Sequence, residues 1–261
     1  MAFYTIGTDT ELFAVSPNGK HISLCGLIGG SKEEPKQILG LPDGFCVQED
    51  NVSVEFNIPP CNTSSTFIAC VSTVVNEVSK ILEKNNLLIS EKASVSFDAD
   101  QLLHPNALIF GCEPDYDAWK KIENKKPKCD NPNLRTAGGH IHVGTDNDMI
   151  ECVKRMDLFL GVPSIIIDNS KSSIERRKLY GKAGAMRPKS YGFEYRVLSN
   201  FWVFDSEYIK WVFNATKNAV NSKIKISVKD SKEIQRVINE GDIYAATVLA
   251  ENYGLAIPSG S

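Results

Sequence analysis

The chain has 261 residues, 42% of them hydrophobic, and a formal net charge of −3. That is enough apolar material for one substantial core and does not require a second domain. The weak negative balance, with no basic stripe interleaved with aromatics, argues against a nucleic-acid partner.

Seven cysteines with no C-x-x-C pair read as free thiols of a reducing compartment. The start, Met-Ala-Phe-Tyr-Thr-Ile-Gly, lacks the basic and apolar regions of a signal peptide, and no apolar stretch approaches the roughly 20 residues of a spanning helix. A cytoplasmic protein without a membrane partner is the expectation.

In chain order, Phe3 to Val15 and His21 to Ile28 read as a hairpin around the turn Ser16-Pro-Asn-Gly19. Successive side chains of a strand alternate faces, so Asp9 and Glu11 share one side. Gly29 to Pro35 is a loop that lacks the Walker-type phosphate pattern. Phe45 to Ile58 carries the next strand, with Val52, Val54, Phe56 and Ile58 on one face and Asn51, Ser53, Glu55 and Asn57 on the other. Pro59-Pro60 ends it. A helix then starts at a cap among Asn62, Thr63 and Ser64, with Phe67, Val71, Val74, Val78 and Ile81 as a core stripe. Leu87 to Phe97 reads as a further strand. Residues 98 to 133 are irregular, and the acidic-aromatic run Glu113 to Trp119 suggests the wall of a substrate pocket. Lys120 to Lys128 reads as a solvated cationic loop.

Gly138-Gly-His-Ile-His-Val-Gly144 places His140 and His142 on one strand face and Ile141 and Val143 on the other. A helix capped by Asp146 or Asn147 runs to Gly161, and Pro163 starts a second reaching Tyr180. Gly181 to Gly192 is glycine-rich and basic, suited to closing over phosphates with Lys182, Arg187 and Lys189. The strand Gly192 to Asn200 presents Glu194 and Arg196 together. Helices follow from Asp205 or Ser206, from Asp230 and from Ile243.

The polar strand faces thus collect carboxylates and no lysines. Two carboxylates about 4 Å apart repel by about 4 kcal/mol at an effective dielectric near 20. Shared protons, arginines or divalent cations could each relieve this. Hard oxygens with one histidine suit magnesium or manganese better than zinc. Metal-bridged phosphates beside guanidinium groups are the requirements of phosphoryl transfer.

Four blocks in this order, Gly7-Thr-Asp-Thr-Glu11, Val54-Glu-Phe-Asn57, Gly138 to Gly144 and Arg187 to Trp202, resemble the phage-type carboxylate-amine ligases of the glutamine synthetase and glutamate-cysteine ligase superfamily. The resemblance implies an α+β fold, a curved antiparallel sheet backed by helices, forming a single glutamine-synthetase-like domain over 1–261 with a C-terminal helical extension at 222–261. It implies ATP and Mg2+ or Mn2+ as cofactors, small-molecule or peptide carboxylate and amine substrates, and amide formation through an acyl phosphate. Carried over, Asp9, Glu11, Glu55, His142 and Glu194 would be metal residues. Glu55, Arg187 and Arg196 would be catalytic, and His140, His142, Arg135, Lys182 and Asn57 would hold the nucleotide. Two other readings stay open: a phosphotransferase resembling the guanidino kinases, which should leave a stable phosphorylated product, and a non-catalytic phage or bacterial binding protein.

Overall fold

The computed structural model describes residues 4–108 and 115–259. In chain order the elements are β1 (Tyr4–Val15), β2 (His21–Ile22), β3 (Lys36–Gln37), β4 (Cys46–Asp50), β5 (Ser53–Asn57), α1 (Ser64–Glu83), β6 (Leu88–Ser90), β7 (Ser94–Ser96), β8 (Tyr116–Asp117), β9 (Ile122–Glu123), β10 (Leu134–Thr136) and β11 (Gly139–Thr145). There follow α2 (Met149–Met156), α3 (Val162–Ile167), α4 (Lys171–Leu179), β12 (Ala185–Lys189), β13 (Gly192–Tyr195), α5 (Ser206–Asn221), α6 (Val228–Glu240) and α7 (Ile243–Tyr253).

One antiparallel sheet dominates, in the order β3-β4-β5-β1-β11-β13-β12-β8-β9, with β2 and β6 pairing the end of β1. A separate ribbon joins β7 to β10. The expected α+β class, an antiparallel sheet backed by helices, is what is seen. The long strand β1 is its axis. Tyr4 to Thr10 pair with β11, Asp9 to Leu12 with β5, and Phe13 to Val15 with β6.

The apolar side of these strands packs under helices α1 and α5. Ile6, Leu12, Val54, Phe56, Ile141, Val143, Phe193 and Tyr195 are all buried there. Phe67 of α1 stacks on Trp202 with centroids 5.9 Å apart, and tilts against Phe213 of α5 at 5.6 Å. Thr63 caps α1, its hydroxyl accepting from the Thr66 N–H. By length and composition α1 could cross a membrane, so the expectation that no such stretch exists is amended. Its apolar residues Phe67, Val71, Val74, Val78 and Leu82 are spent on the core, whereas Ile81 is only partly buried.

Several boundaries differ from the sequence reading. Phe45 to Ile58 is two strands, because Asn51 takes a left-handed φ of 57° and turns the chain. Leu87 to Phe97 also divides: Leu88–Ser90 joins β1, while Ser94–Ser96 leaves to pair with β10. Beyond Ile22 the second arm of the first hairpin becomes turns. Asp148, not Asp146 or Asn147, caps α2, accepting from the Glu151 N–H. The helix does not end at Gly161 but passes through a π turn, Asp157–Gly161, into α3, and a break at 168–170 separates α3 from α4. Helix α6 begins three residues before Ser231, capped by Ser227. The glycine-rich segment 181–192 is not a single loop, since Ala185–Lys189 forms a hairpin with β13. Within the run Glu113 to Trp119, positions 113 and 114 lie outside the described residues, as does Cys112. The other six cysteines are free thiols.

Candidate functional site

Register builds the site. Across β1 and β11 Asp9 faces His140 and Gly7 faces His142; across β1 and β5 Glu11 faces Glu55 and Asp9 faces Asn57. His142 faces Glu194 across β13, and Arg187 faces Glu194 from β12. Antiparallel partners point to the same side, so five strands deliver these groups to one face.

The glycines of the Gly138–Gly144 block make the approach possible. A Cβ on Gly138 would lie 2.2 Å from His140 Nε2, and one on Gly139 would lie 2.4 Å from the Ser199 carbonyl oxygen. The Gly138 N–H donates to Glu11 Oε2 at 2.8 Å.

The acids divide into two groups, where the sequence suggested one. Glu11, Asp50 and Glu55 offer carboxylate oxygens within 4.8 Å of one another, and so do the ligand atoms of Asp9, His142 and Glu194. In the first group, burial and then Asp50 push Glu11 up to about 7. Burial, followed by Asp9, Asp50 and Glu11, raises Glu55 well above the usual carboxylate range. Gln48 Nε2 donates to Glu55 Oε1 at 2.6 Å, and Lys32 lies 3.4 Å from Asp50. This is too little positive charge for three clustered carboxylates, and hard oxygen donors in this number fit Mg2+ or Mn2+.

The second group is mixed. His142 Nε2 lies 2.9 Å from Asp9 Oδ2, and His140 Nδ1 lies 3.3 Å from Asp9 Oδ1. Asp9 Oδ1 and His142 Nε2 are buried without a hydrogen bond of acceptable geometry. Burial opposes charge on Asp9, but His142 holds its carboxyl well below the ordinary range. Glu194, fully buried, already meets three cations: Arg196 Nη1 in a short contact, Arg187 Nη1 at 3.2 Å and Lys189 Nζ at 3.4 Å. A cation there would compete with these side chains, so the Glu11–Asp50–Glu55 group fits a cation better than the second group does. His140 is buried next to Arg196, with Nδ1 3.3 Å from Arg196 Nη1. Burial and that charge hold its imidazole down to about 3. It is therefore a neutral donor and acceptor near neutral pH.

Two expected residues are placed elsewhere. Lys182 points to the helical layer, donating to the Asn239 carbonyl at 3.4 Å, because β12 starts three residues later and carries the chain away. Arg135 sits in the β7–β10 ribbon and donates to the carbonyls of Pro132, Leu134 and Ala107 and to Asn51 Oδ1. Those bonds orient it as a clamp on that ribbon. It does line a cavity of about 330 Å³ at the Glu11 end of the face, together with Asp50, His140, Arg176 and Arg196. His104 lies away from this face and accepts from the Asn106 N–H at 3.2 Å.

Three groups went unnoticed in the sequence. Asp50 was hidden by reading one strand across the hairpin, although the alternation Cys46, Gln48, Asp50 carries its signal. Tyr191 caps the polar face, its hydroxyl 2.5 Å from His142 Nδ1 and its ring stacked on the imidazole at 6.0 Å. Arg176 arrives from α4, and nothing local in the sequence distinguishes it from Arg177 or Lys178.

No curated protein matched the chain. Residues 133–248 match the family model described as phage phiEco32-like COOH.NH2 ligase, type 2. That span supplies His140, His142, Arg187, Glu194 and Arg196, while Asp9, Glu11, Asp50 and Glu55 come from strands before it. Over that span the match agrees with the resemblance read from the sequence to the phage-type carboxylate-amine ligases.

Proposed function

We propose that the protein is an ATP- and Mg2+-dependent carboxylate-amine ligase that forms an amide or peptide-like bond through an acyl phosphate. The observation that carries this reading is the juxtaposition, on one sheet face, of the Glu11–Asp50–Glu55 carboxylates with the Arg187 and Arg196 guanidinium groups around Glu194. In such a reaction ATP supplies the phosphoryl group that activates the carboxylate, and the divalent cation neutralises the phosphates.

The chain's own residues have separable tasks. Glu11, Asp50 and Glu55 would hold the cation. Arg187, Arg196 and Lys189 neutralise oxygen charge on the transferred group, and Glu194 aligns all three by pairing with them. Neutral His140 can hydrogen-bond a phosphate oxygen without adding charge. The amine then attacks the acyl carbon, expels inorganic phosphate and loses a proton to a base.

Incubation with Mg-ATP and pooled carboxylates and amines tests this. The expected result is ADP and inorganic phosphate released together with an amide, only when both substrates are present. Arg187→Ala should lower turnover about 10²- to 10³-fold, the range for losing one transition-state charge donor. A stable phosphorylated product without inorganic phosphate would instead assign a kinase.

A further inference from the structure

Arg176 differs from every other arginine at this face. It is 2% exposed, and its one hydrogen bond runs from Nη1 to the Val197 carbonyl at 3.1 Å. Its Nε is shut from solvent with no acceptor, and it has no ion-pair partner among the described residues. Buried guanidinium groups are ordinarily paired, because an uncompensated charge inside a protein is costly. Burial pulls this guanidinium down to about 10, with Glu11 and Asp168 favouring its charge only from beyond ion-pair distance.

The fold makes room for this group and aims it at an opening. Gly181, with a φ of +70°, ends α4's trailing turn where a Cβ would come within 2.5 Å of Arg176 Nη1. Arg176 lines the 330 Å³ cavity, at the lower end of the range for small-ligand sites. Phe13, Val52 and Leu134 give that cavity apolar wall, and Glu11, Asp50 and Asp115 give it acidic wall. With Glu11 and Asp50 given to the cation in the ligase reading, Asp115 remains as an acid on the wall, and a small molecule carrying one carboxylate and one ammonium group would match Arg176 and Asp115 together.

We propose that Arg176 anchors a carboxylate of a small amphoteric substrate, amino-acid-like in carrying both a carboxylate and an ammonium group, inside this cavity. The inference rests on the ligase reading for the chemistry that follows binding. The anchoring itself does not require turnover.

The test is binding of the common L-amino acids and diglycine, with propylamine and inorganic phosphate as controls, to the full chain and to Arg176→Met and Arg176→Lys. At least one amino acid or diglycine should bind wild type, with propylamine and phosphate failing to compete. Arg176→Met should bind it at least tenfold more weakly, and Arg176→Lys, which keeps the charge but not the fork, should fall between. Without ligand, Arg176→Met should still fold cooperatively, since what it removes is one hydrogen bond and longer-range attraction to Glu11 and Asp168, so that its loss of affinity is read on a folded protein. A merely structural arginine would lower the melting temperature and leave affinity unchanged, which would overturn the proposal. So would absence of any carboxylate binding, or Arg176-dependent binding of phosphate alone. Amino-acid binding with no ATP-dependent amide formation would leave the anchor standing and sink the ligase reading; amide formation with unchanged Arg176→Met affinity would do the reverse.

Discussion

At the scale of single residues, Glu11 shows what the site costs the fold. Its carboxyl is held up to about 7 from an ordinary 4.5 by burial and then by Asp50. Between those values the folded chain holds a proton that the unfolded chain has lost. Stability therefore falls as pH rises through the window from about 4.5 to 7, and the penalty is fully present above it. Glu11→Gln removes the titration while keeping an acceptor for the Gly138 N–H. In chelator at pH 8 it should be more stable than wild type by about 1–3 kcal/mol, with the difference gone by pH 4. Urea unfolding across that range checks it, and an equal pH slope in both proteins would show that Glu11 is not the strained group. The carboxylates of this face are thus kept for something other than stability, as expected where function and folding compete.

At the scale of elements, the strand bearing Glu194 and Arg196 is braced from behind. Between them Tyr195 points to the helical side, and its hydroxyl donates to Asp157 Oδ1 at 2.8 Å. Asp157 Oδ2 accepts from Trp119 Nε1 at 2.6 Å and from the Gly184 N–H at 2.7 Å. One buried carboxyl, placed by the π turn between α2 and α3, therefore ties together the edge hairpin, the segment entering β12 and the site strand. Burial pushes Asp157 up to about 7, against the three donors that favour its charge. Because Tyr195 can also accept, Asp157→Asn keeps all three contacts and should cost less than about 1.5 kcal/mol. Asp157→Leu leaves three buried donors unmatched and should cost about 3–5 kcal/mol. Thermal unfolding of the two variants separates these outcomes, and equal losses would contradict the bracing role.

The element scale also shows what could be read in advance. Period-two alternation identified the Asp9–Glu11, Glu55–Asn57, His140–His142 and Glu194–Arg196 pairs, because strand geometry allows no other arrangement of neighbours at i and i+2. Caps identified α1 and α5 in the same way, through the side chains of Thr63 and Asp205. Long-range placement was not legible. Asp50 needed the turn at Asn51, Asp157 needed the π turn, and Arg176 needed the packing of α4 over the sheet end. Lys182 failed for the converse reason: a basic glycine-rich run looks the same whether it wraps a ligand or feeds a hairpin.

At the scale of the whole molecule, β1 divides the labour. On its helical side Ile6 and Leu12 enter the core shared with α1 and α5; on the other, Asp9 and Glu11 face partners on β11 and β5. Glu11, Asp50 and Glu55 come from the first part of the chain, and Arg187 and Arg196 from the span that matches the ligase family model. Neither part alone carries the complete set of site residues. Glu11, Asp50 and Glu55 lie close together at one end of the face, and Arg187, Lys189 and Arg196 converge on Glu194. On the proposed reading a magnesium nucleotide would lie between them.

The most direct measurement of that claim is the melting shift produced by ADP with and without Mg2+, in wild type and in Glu55→Gln. At about 100 times the dissociation constant, binding should stabilise wild type by roughly 2.7 kcal/mol, a rise of about 5–10 °C for a chain of this size. The shift should require Mg2+ and disappear in Glu55→Gln, although that variant, freed of a strained carboxylate, should melt no lower than wild type in chelator. A magnesium-independent shift, or the same shift in both proteins, would contradict a cation held by Glu11, Asp50 and Glu55.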